Sequence, residues 1–261
     1  MLFDTHCHLD QDEFDADRDE VVNRAVEAGV GTIIAVGTTA TSSEKCIRIA
    51  GQFDSVYAAV GIQPNYVAEA GAGDWDRVVE MADHGRVVAI GETGLDRHWD
   101  YSPFDQQQDF FDRHLRLSQQ KDMAFIVHMR DCEADVMAML RDARGRGPLR
   151  GVIHSFTGDA AMAAECVELG TYISFAGMVT FKKSDALRQC AAGIPMDRLL
   201  IETDAPYLSP HPVRSQRRNE PANLRHTAEC LADVRELPLE ELARQTTANA
   251  RRLFKLDSHE A

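Results

Sequence analysis

Short apolar runs alternate with amphipathic stretches from one end of the chain to the other. Residues 2–5, 32–36 (TIIAV), 56–60 (VYAAV), 87–90, 125–127, 152–153, 172–175 and 199–201 read as strands. They are nearly continuous in apolar character, as strands covered on both faces of a parallel sheet are. Residues 15–28, 42–50, 75–82, 104–120, 134–143, 162–169 and 185–192 read as helices between them. In the first helix Val21, Val22, Ala25 and Val26 share a face, and Gly29 supplies the stop. Residues 221–254 read as helical on both sides of Pro238. The irregular stretch 207–219, rich in Pro, Ser and Arg, follows the last strand and reads as a functional loop.

Eight strands alternating with helices predict an α/β protein: a single (β/α)8 TIM-like barrel with C-terminal helices, one domain over residues 1–261. Local alternation does not show closure, so an open doubly wound sheet is the rival architecture. A 261-residue chain with 44% hydrophobic content can bury a core of that size.

Charge narrows the partners. The 28 basic and 42 acidic residues give a formal net charge of -14, which disfavours nonspecific binding to nucleic acid or anionic membrane. A phosphate substrate remains open if local cations or metal ions line the site. Cys7, Cys46, Cys132, Cys166, Cys190 and Cys230 form no CxxC pair and read as reduced thiols. The chain opens directly on Met-Leu-Phe-Asp, and no apolar run is long enough to span a bilayer. The expectation is a cytoplasmic protein with no membrane contact and no obligate protein partner.

The candidate chemistry sits at strand ends. His6 and His8 close the first strand, and period two puts both imidazoles on one face with Cys7 on the other. Glu92 follows the fourth strand between glycines, His128 the fifth, His154 the sixth and Asp204 the eighth. Each type alone has a bland reading, as a capping carboxylate, a core histidine or a turn aspartate. Jointly, four imidazoles and two carboxylates at the C-terminal ends of barrel strands outline a two-metal hydrolase site. Mixed nitrogen and oxygen donors suit Zn²⁺, Mn²⁺ or Fe²⁺, and Mg²⁺ where substrate oxygens and water complete its shell. Asp204 is the candidate proton acceptor for an attacking water, Glu92 a candidate bridge between ions, and Asp96 a candidate orienter of a ligating histidine.

The ordered segments FDTHCHLD (3–10), AIGETGLD (89–96), VHMR (127–130), HSFTG (154–158), LIETDAPYL (200–208) and RNEP (218–221) resemble the TatD-related metal-dependent deoxyribonucleases, within the wider amidohydrolase-like barrels. That resemblance implies a TIM-like barrel with a binuclear divalent-metal site. It implies that His6, His8 and Asp204 hold one ion, that His128 and His154 hold the other, and that Glu92 bridges. The implied activity is hydrolysis of DNA phosphodiesters, commonly from the 3′ end of single strands, with two Mg²⁺ or Mn²⁺ ions. The family often carries His-Pro-His after the third strand. Here the segment is Gln63-Pro64-Asn65, whose amides can hydrogen-bond a phosphate or base but cannot protonate a leaving group.

For substrate handling, Arg130 and Arg218 lie within the motif-like segments and are the first candidates to grip a phosphate, with Arg97, Lys182, Lys183, Arg214, Arg217 and Arg225 nearby in sequence loops. Tyr207, Phe156 and Phe181 are candidates to stack a terminal base, and Gln63 to hydrogen-bond substrate. The competing readings are a metallohydrolase acting on another bond, such as a D-aminoacyl-tRNA ester or cyclic amide, and a non-catalytic barrel. The complete ligand set argues against the last.

Overall fold

Eight strands pair in strict sequence order, every pairing parallel: β1 (Leu2–Cys7), β2 (Val30–Val36), β3 (Val56–Val60), β4 (Val87–Asp96), β5 (Ala124–Arg130), β6 (Gly151–Ile153), β7 (Thr171–Phe175) and β8 (Leu199–Ile201). The structure is a computed structural model and describes residues 1–256; residues 257–261 of the expected single domain lie outside the described residues. The first and last strands meet just beyond the end of β8. There Asp204 N–H donates to His6 O at 2.9 Å and His8 N–H to Ala205 O at 2.8 Å. An unreversed strand order whose ends meet is a nearly closed (β/α)8 barrel, which excludes the open doubly wound sheet.

Helices α1 (Arg18–Glu27), α2 (Ala40–Ala50), α3 (Asp74–Met81), α4 (Phe104–Lys121), α5 (Glu133–Arg146), α6 (Ala160–Leu169) and α7 (Asp185–Gly193) wrap the barrel. Two more, α8 (Leu224–Val234) and α9 (Leu239–Phe254), flank Pro238 as the sequence predicts. None of the described helices is long and apolar enough to cross a membrane. Helix α1 starts later than residue 15 because a 3-10 turn, Asp12–Phe14, first tucks Phe14 fully into the core.

The two faces of each strand feed two cores. Outward residues such as Ile33, Val60, Ile90, Phe125, Val127 and Ile153 pack under the helices. Inward residues such as Phe3, Ile34, Ala59, Ile126, Val152 and Leu200 fill the barrel, and the end of α9 closes its floor with Leu253 and Phe254. Phe3 and Phe254 stack there at 6.0 Å.

Alternation from this inner core carries His128 inward from Ile126 and His154 inward from Val152. It would send His6 and Glu92 the wrong way, since Phe3 and Ala89 face inward and lie an odd number of residues before them. Two register shifts correct this. Asp4 and Cys7 pair with Ile33 and Ala35, so β1 has one residue more than β2 over that span. Ile90 and Thr93 pair with Phe125 and Val127, so β4 gains one residue over β5. Each extra residue re-aims the side chains beyond it. The fourth strand also runs on to Asp96, past the end at Ile90 that the apolar pattern predicts, because Gly94 lets β5 approach. A Cβ at Gly94 would lie 2.0 Å from His128 O, and its φ of 130° suits glycine.

The loop after β3 hangs on His114 of α4. Its Nε2 accepts from Ile62 N–H at 3.0 Å and its Nδ1 donates to Phe110 O at 2.6 Å, so the ring is neutral and its tautomer is determined. Burial lowers its pKa to about 4 from 6.5. The loop after β8 is held from the other side. Arg218 donates to both oxygens of Asp17, at 2.6 and 2.7 Å, and Arg24 bridges Asp17 and Glu220. Asn219, fully buried, donates to Thr203 O and Tyr207 O at 3.0 and 2.8 Å.

Replacing His114 by Phe strands the Ile62 N–H and is predicted to cost about 1–3 kcal/mol in urea unfolding at pH 7. A folded pKa below the unfolded one gives stability that is complete above about pH 6.5 and declines as pH falls toward about 4, so the variant's curve is flatter across that window. An unchanged slope would count against a buried neutral ring. Arg218→Ala is predicted to lower stability by about 1 kcal/mol at pH 7. The Arg218 hydrogen bond holds the Asp17 carboxyl at about 2, below its usual 3.8. This contribution is therefore present above about pH 4 and lost as pH falls toward 2. Urea midpoints of the two proteins converge at low pH; a constant gap would refute the pairing.

Candidate metal centre

All six strand-end candidates converge on the C-terminal mouth of the barrel. Glu92 stands in the middle, and its two oxygens face different groups. Oε2 lies 3.6 Å from Nε2 of both His6 and His8. Oε1 lies 3.0 Å from His128 Nδ1 and 3.2 Å from His154 Nε2. Asp204 Oδ1 joins the first group, 3.7 and 3.5 Å from His6 Nε2 and His8 Nε2. The two Nε2 atoms of His6 and His8 are 3.2 Å apart, and His154 Nε2 is 3.4 Å from His128 Nδ1.

The outer nitrogens explain what the inner ones can do. His8 Nδ1 meets Val36 O at 3.0 Å, His128 Nε2 meets Asp96 Oδ2 at 2.9 Å, and His154 Nδ1 meets Glu202 Oε1 at 3.3 Å. A carbonyl or carboxylate oxygen only accepts, so each of these ring nitrogens carries the proton. The opposite nitrogen of each ring then faces a carboxylate oxygen and, where it carries no proton, points a lone pair at it. Acceptor against acceptor repels unless positive charge lies between. Burial opposes charge on His8, yet Asp204 and Glu92 lift it to about 9. Against the same burial, Glu92 and Glu202 raise His154 well above its ordinary value. Glu92 resists burial and is held well below the carboxylate range by His154, His128 and His6. His6, the most enclosed ring, is instead lowered by burial and by the neighbouring His154, which stacks on it at 4.0 Å.

These residues fit divalent cations. In a tetrahedral shell with metal–nitrogen distances of about 2.0–2.1 Å, neighbouring donor atoms sit roughly 3.3 Å apart. The inner contacts of 3.0–3.7 Å match that spacing, and several are too long to be hydrogen bonds. His6, His8 and Glu92 form one compact set of ligand atoms, and Glu92, His128 and His154 another. A third grouping, His6, His154 and Glu202, places a further carboxylate behind the histidines. His6 Nδ1 and Glu202 Oε2 are buried without a hydrogen-bond partner among the described residues.

Glu202 and Asn65 are residues that the strand-end pattern does not flag. Glu202 Oε1 accepts from His154 Nδ1 and, at 2.6 Å, from Ser155 N–H. The period-two rule that pairs His6 with His8 applies equally to Glu202 and Asp204, and is the signal for it. Asn65 donates to Asp96 Oδ2 at 2.9 Å, beside the His128 contact. Asp96 thus orients His128, as its place after the fourth strand suggests, and its carboxyl is held at about 2, against burial, chiefly by His128 and Asn65.

The substrate candidates are dispersed. Gln63 is nearly buried, and its Oε1 accepts from Asn65 N–H at 2.8 Å, capping the turn. Tyr207 is 49% exposed, with its ring edge-on to His8 at 6.0 Å. Arg130 is exposed, lies 5.6 Å from the Trp99 ring and has no carboxylate partner among the described residues. Arg218 is engaged by Asp17, and Arg97 by Asp135. Phe156 is buried against Phe175, which removes it as a stacking surface.

The wider comparisons agree with this geometry. The family model "TatD related DNase" matches residues 3–255. An uncharacterized metal-dependent hydrolase of Bacillus subtilis, YabD, is 40% identical over 98% of this chain and 100% of its own. A Shigella flexneri protein named 3′-5′ ssDNA/RNA exonuclease TatD is 36% identical, over 97% of this chain and 98% of its own. The crystal structure of YjjV, a TatD homologue from Escherichia coli, superposes with a TM-score of 0.90 at 30% identity, covering 97% of this chain and 98% of the other. The chain belongs to the TatD-related DNase family of metal-dependent hydrolases.

Proposed function

We propose that the chain is a divalent-metal-dependent nuclease that hydrolyses single-stranded DNA or RNA from the 3′ end, the whole chain acting as one catalytic domain. The observation that carries this reading is Glu92, which divides its two oxygens between two sets of inward-facing imidazole nitrogens. His6, His8, Asp204 and Glu92 Oε2 would hold one ion, and His128, His154 and Glu92 Oε1 the other. Two divalent ions such as Mg²⁺ or Mn²⁺, or Zn²⁺, supply Lewis acidity toward a phosphoryl oxygen and lower the pKa of water.

The protein's own groups do the rest. Asp204 is held below the ordinary carboxylate range, against its burial, by His8 and His6, so it is ionised and able to accept a proton from water. Asp96 and Glu202 fix the rings of His128 and His154 so that one nitrogen of each faces inward. Arg130, with no carboxylate partner among the described residues, is the cation we assign to the substrate phosphate. Arg218 would have to exchange Asp17 for a phosphate to take that part. The relative named an ssDNA/RNA exonuclease supports the substrate class and the polarity. The free cysteines, five of six buried, suit a reducing compartment such as the cytoplasm.

Asp204→Ala and His128→Ala are each predicted to abolish metal-dependent shortening of a 5′-labelled single strand while leaving the circular dichroism spectrum unchanged. The wild type should shorten the same strand from its 3′ end in Mg²⁺ or Mn²⁺. Turnover by both variants would sink the site; an intact strand with wild type under every metal would move the reaction to a carbonyl ester or amide. Asp96→Ala should weaken metal binding roughly 10–100-fold by calorimetry, through loss of the His128 orienter. Unaltered affinity there would remove Asp96 from the centre.

A further inference from the structure

The exposed large aromatic side chains among the described residues are Tyr66, Trp99, Tyr101 and Tyr207. All four follow β3, β4 or β8 and lie on the mouth side of the barrel. Exposed apolar side chains scattered singly are ordinary, whereas contiguous ones mark a contact surface. Two of them form a built pair. Trp99 and Tyr101 stack with ring centroids 5.4 Å apart and planes 13° from parallel. Tyr101 is 60% exposed, so with one face on Trp99 its other face is open to solvent.

The pair is tied to the metal centre through one carboxylate. Asp96 Oδ1 accepts from the backbone N–H groups of His98 and Trp99, at 2.8 and 3.1 Å. Its Oδ2 accepts from His128 at 2.9 Å. In the same loop Arg97 is engaged by Asp135, His98 by Asp131 and Ser102 by the Ala68 N–H, while the Asp100 carboxylate, between the two rings in sequence, is exposed and has no partner among the described residues. The aromatic rings are left facing outward, with the Arg130 guanidinium 5.6 Å from the Trp99 ring.

We propose that Trp99 and Tyr101 form a stacking shelf for a nucleobase of the bound strand, with Arg130 meeting the adjoining phosphate. This rests on the nuclease reading above. The net charge of -14 decides what kind of affinity is needed. An acidic body repels a polyanion at long range, and the few unpaired cations at the mouth return only part of that. Base stacking is indifferent to net charge and contributes roughly five- to a hundredfold in affinity per base. Aromatic faces beside the Arg130 guanidinium are the surface that such a balance calls for. It accepts any base, because every base has a π-face.

The chain has two tryptophans, and Trp75 packs against Phe110 and His114, so Trp99 is the one that reports on the mouth. The experiment is a titration of tryptophan emission, without added divalent metal, using a thymidine pentamer and an abasic pentamer of the same backbone. The thymidine strand should quench wild-type emission, and Trp99→Phe should remove most of the signal. The abasic strand should bind wild type roughly tenfold more weakly. Tyr101→Ala should weaken thymidine binding by about the same factor, and Tyr101→Phe should restore it to within about twofold, since the ring and not the hydroxyl stacks. Equal binding of abasic and thymidine strands, no binding by wild type, or a Tyr101→Ala curve that overlays wild type would each overturn the shelf. Quenching by thymidine without cleavage in Mg²⁺ or Mn²⁺ would support the shelf and refute the nuclease reading. Cleavage with base-independent binding would do the reverse.

Discussion

The grip of Asp4 on the segment after β8 is the constraint on which the mouth of this barrel depends. Its carboxylate accepts from Thr203 N–H at 2.9 Å, Thr203 Oγ1 at 2.6 Å and His6 N–H at 3.3 Å. Asp4 is fully buried, and burial pushes its carboxyl up to about 7 despite those donors. A group so costly to bury is retained where it sets geometry. Here it joins the first strand to the chain beyond the last. The ring of strands closes at that seam, through His6 O and Ala205 O. The same seam brings His6 and His8 against Asp204, residues some two hundred positions apart in the chain. Closure of the fold and assembly of the His6, His8 and Asp204 part of the candidate metal centre are one event.

On the opposite side, Asp96 plays the corresponding part. One oxygen holds His128 and Asn65, and the other holds the backbone of the loop that carries Trp99. A single side chain therefore sets both the orientation of His128 and the position of the aromatic pair. The arrangement is stiff because its members lie on strands or immediately after them, and because each outer ring nitrogen of His8, His128 and His154 already has its partner. The inner nitrogens and carboxylates face one another at distances that hold together only with a proton or a cation between them. That is the usual trade of local stability for function.

Much of the site was legible from residue type and strand ends. His128, His154 and Asp204 each follow a short apolar run, and simple alternation from Ile126, Val152 and Leu200 sends them inward. Glu202 obeys the same rule but looks, in a linear reading, like one more turn carboxylate. Asn65 is less visible still, since an amide able to hydrogen-bond a phosphate or base shows its role toward His128 only once Asp96 is placed beside it. Arg218 lies in a motif-like segment, yet its guanidinium is engaged by Asp17, some two hundred residues earlier in the chain. Whether a cation is free or paired is a property of the groups that pack against it.

The sequence by itself determined the eight-fold alternation, the inventory of imidazoles and carboxylates, and the pairing of His6 with His8 on one face, because these come from local periodicity and composition. Tertiary structure decided which face. The extra residues between Asp4 and Cys7 and between Ile90 and Thr93 turn His6, His8 and Glu92 into the barrel. A strand acquires such a shift only when a neighbour pairs with it, and the neighbours here are β2 and β5. Closure obeyed the same logic: no run of residues contains the hydrogen bonds between His6, His8 and the segment after β8, because their partners are distant in sequence and adjacent only in the folded ring.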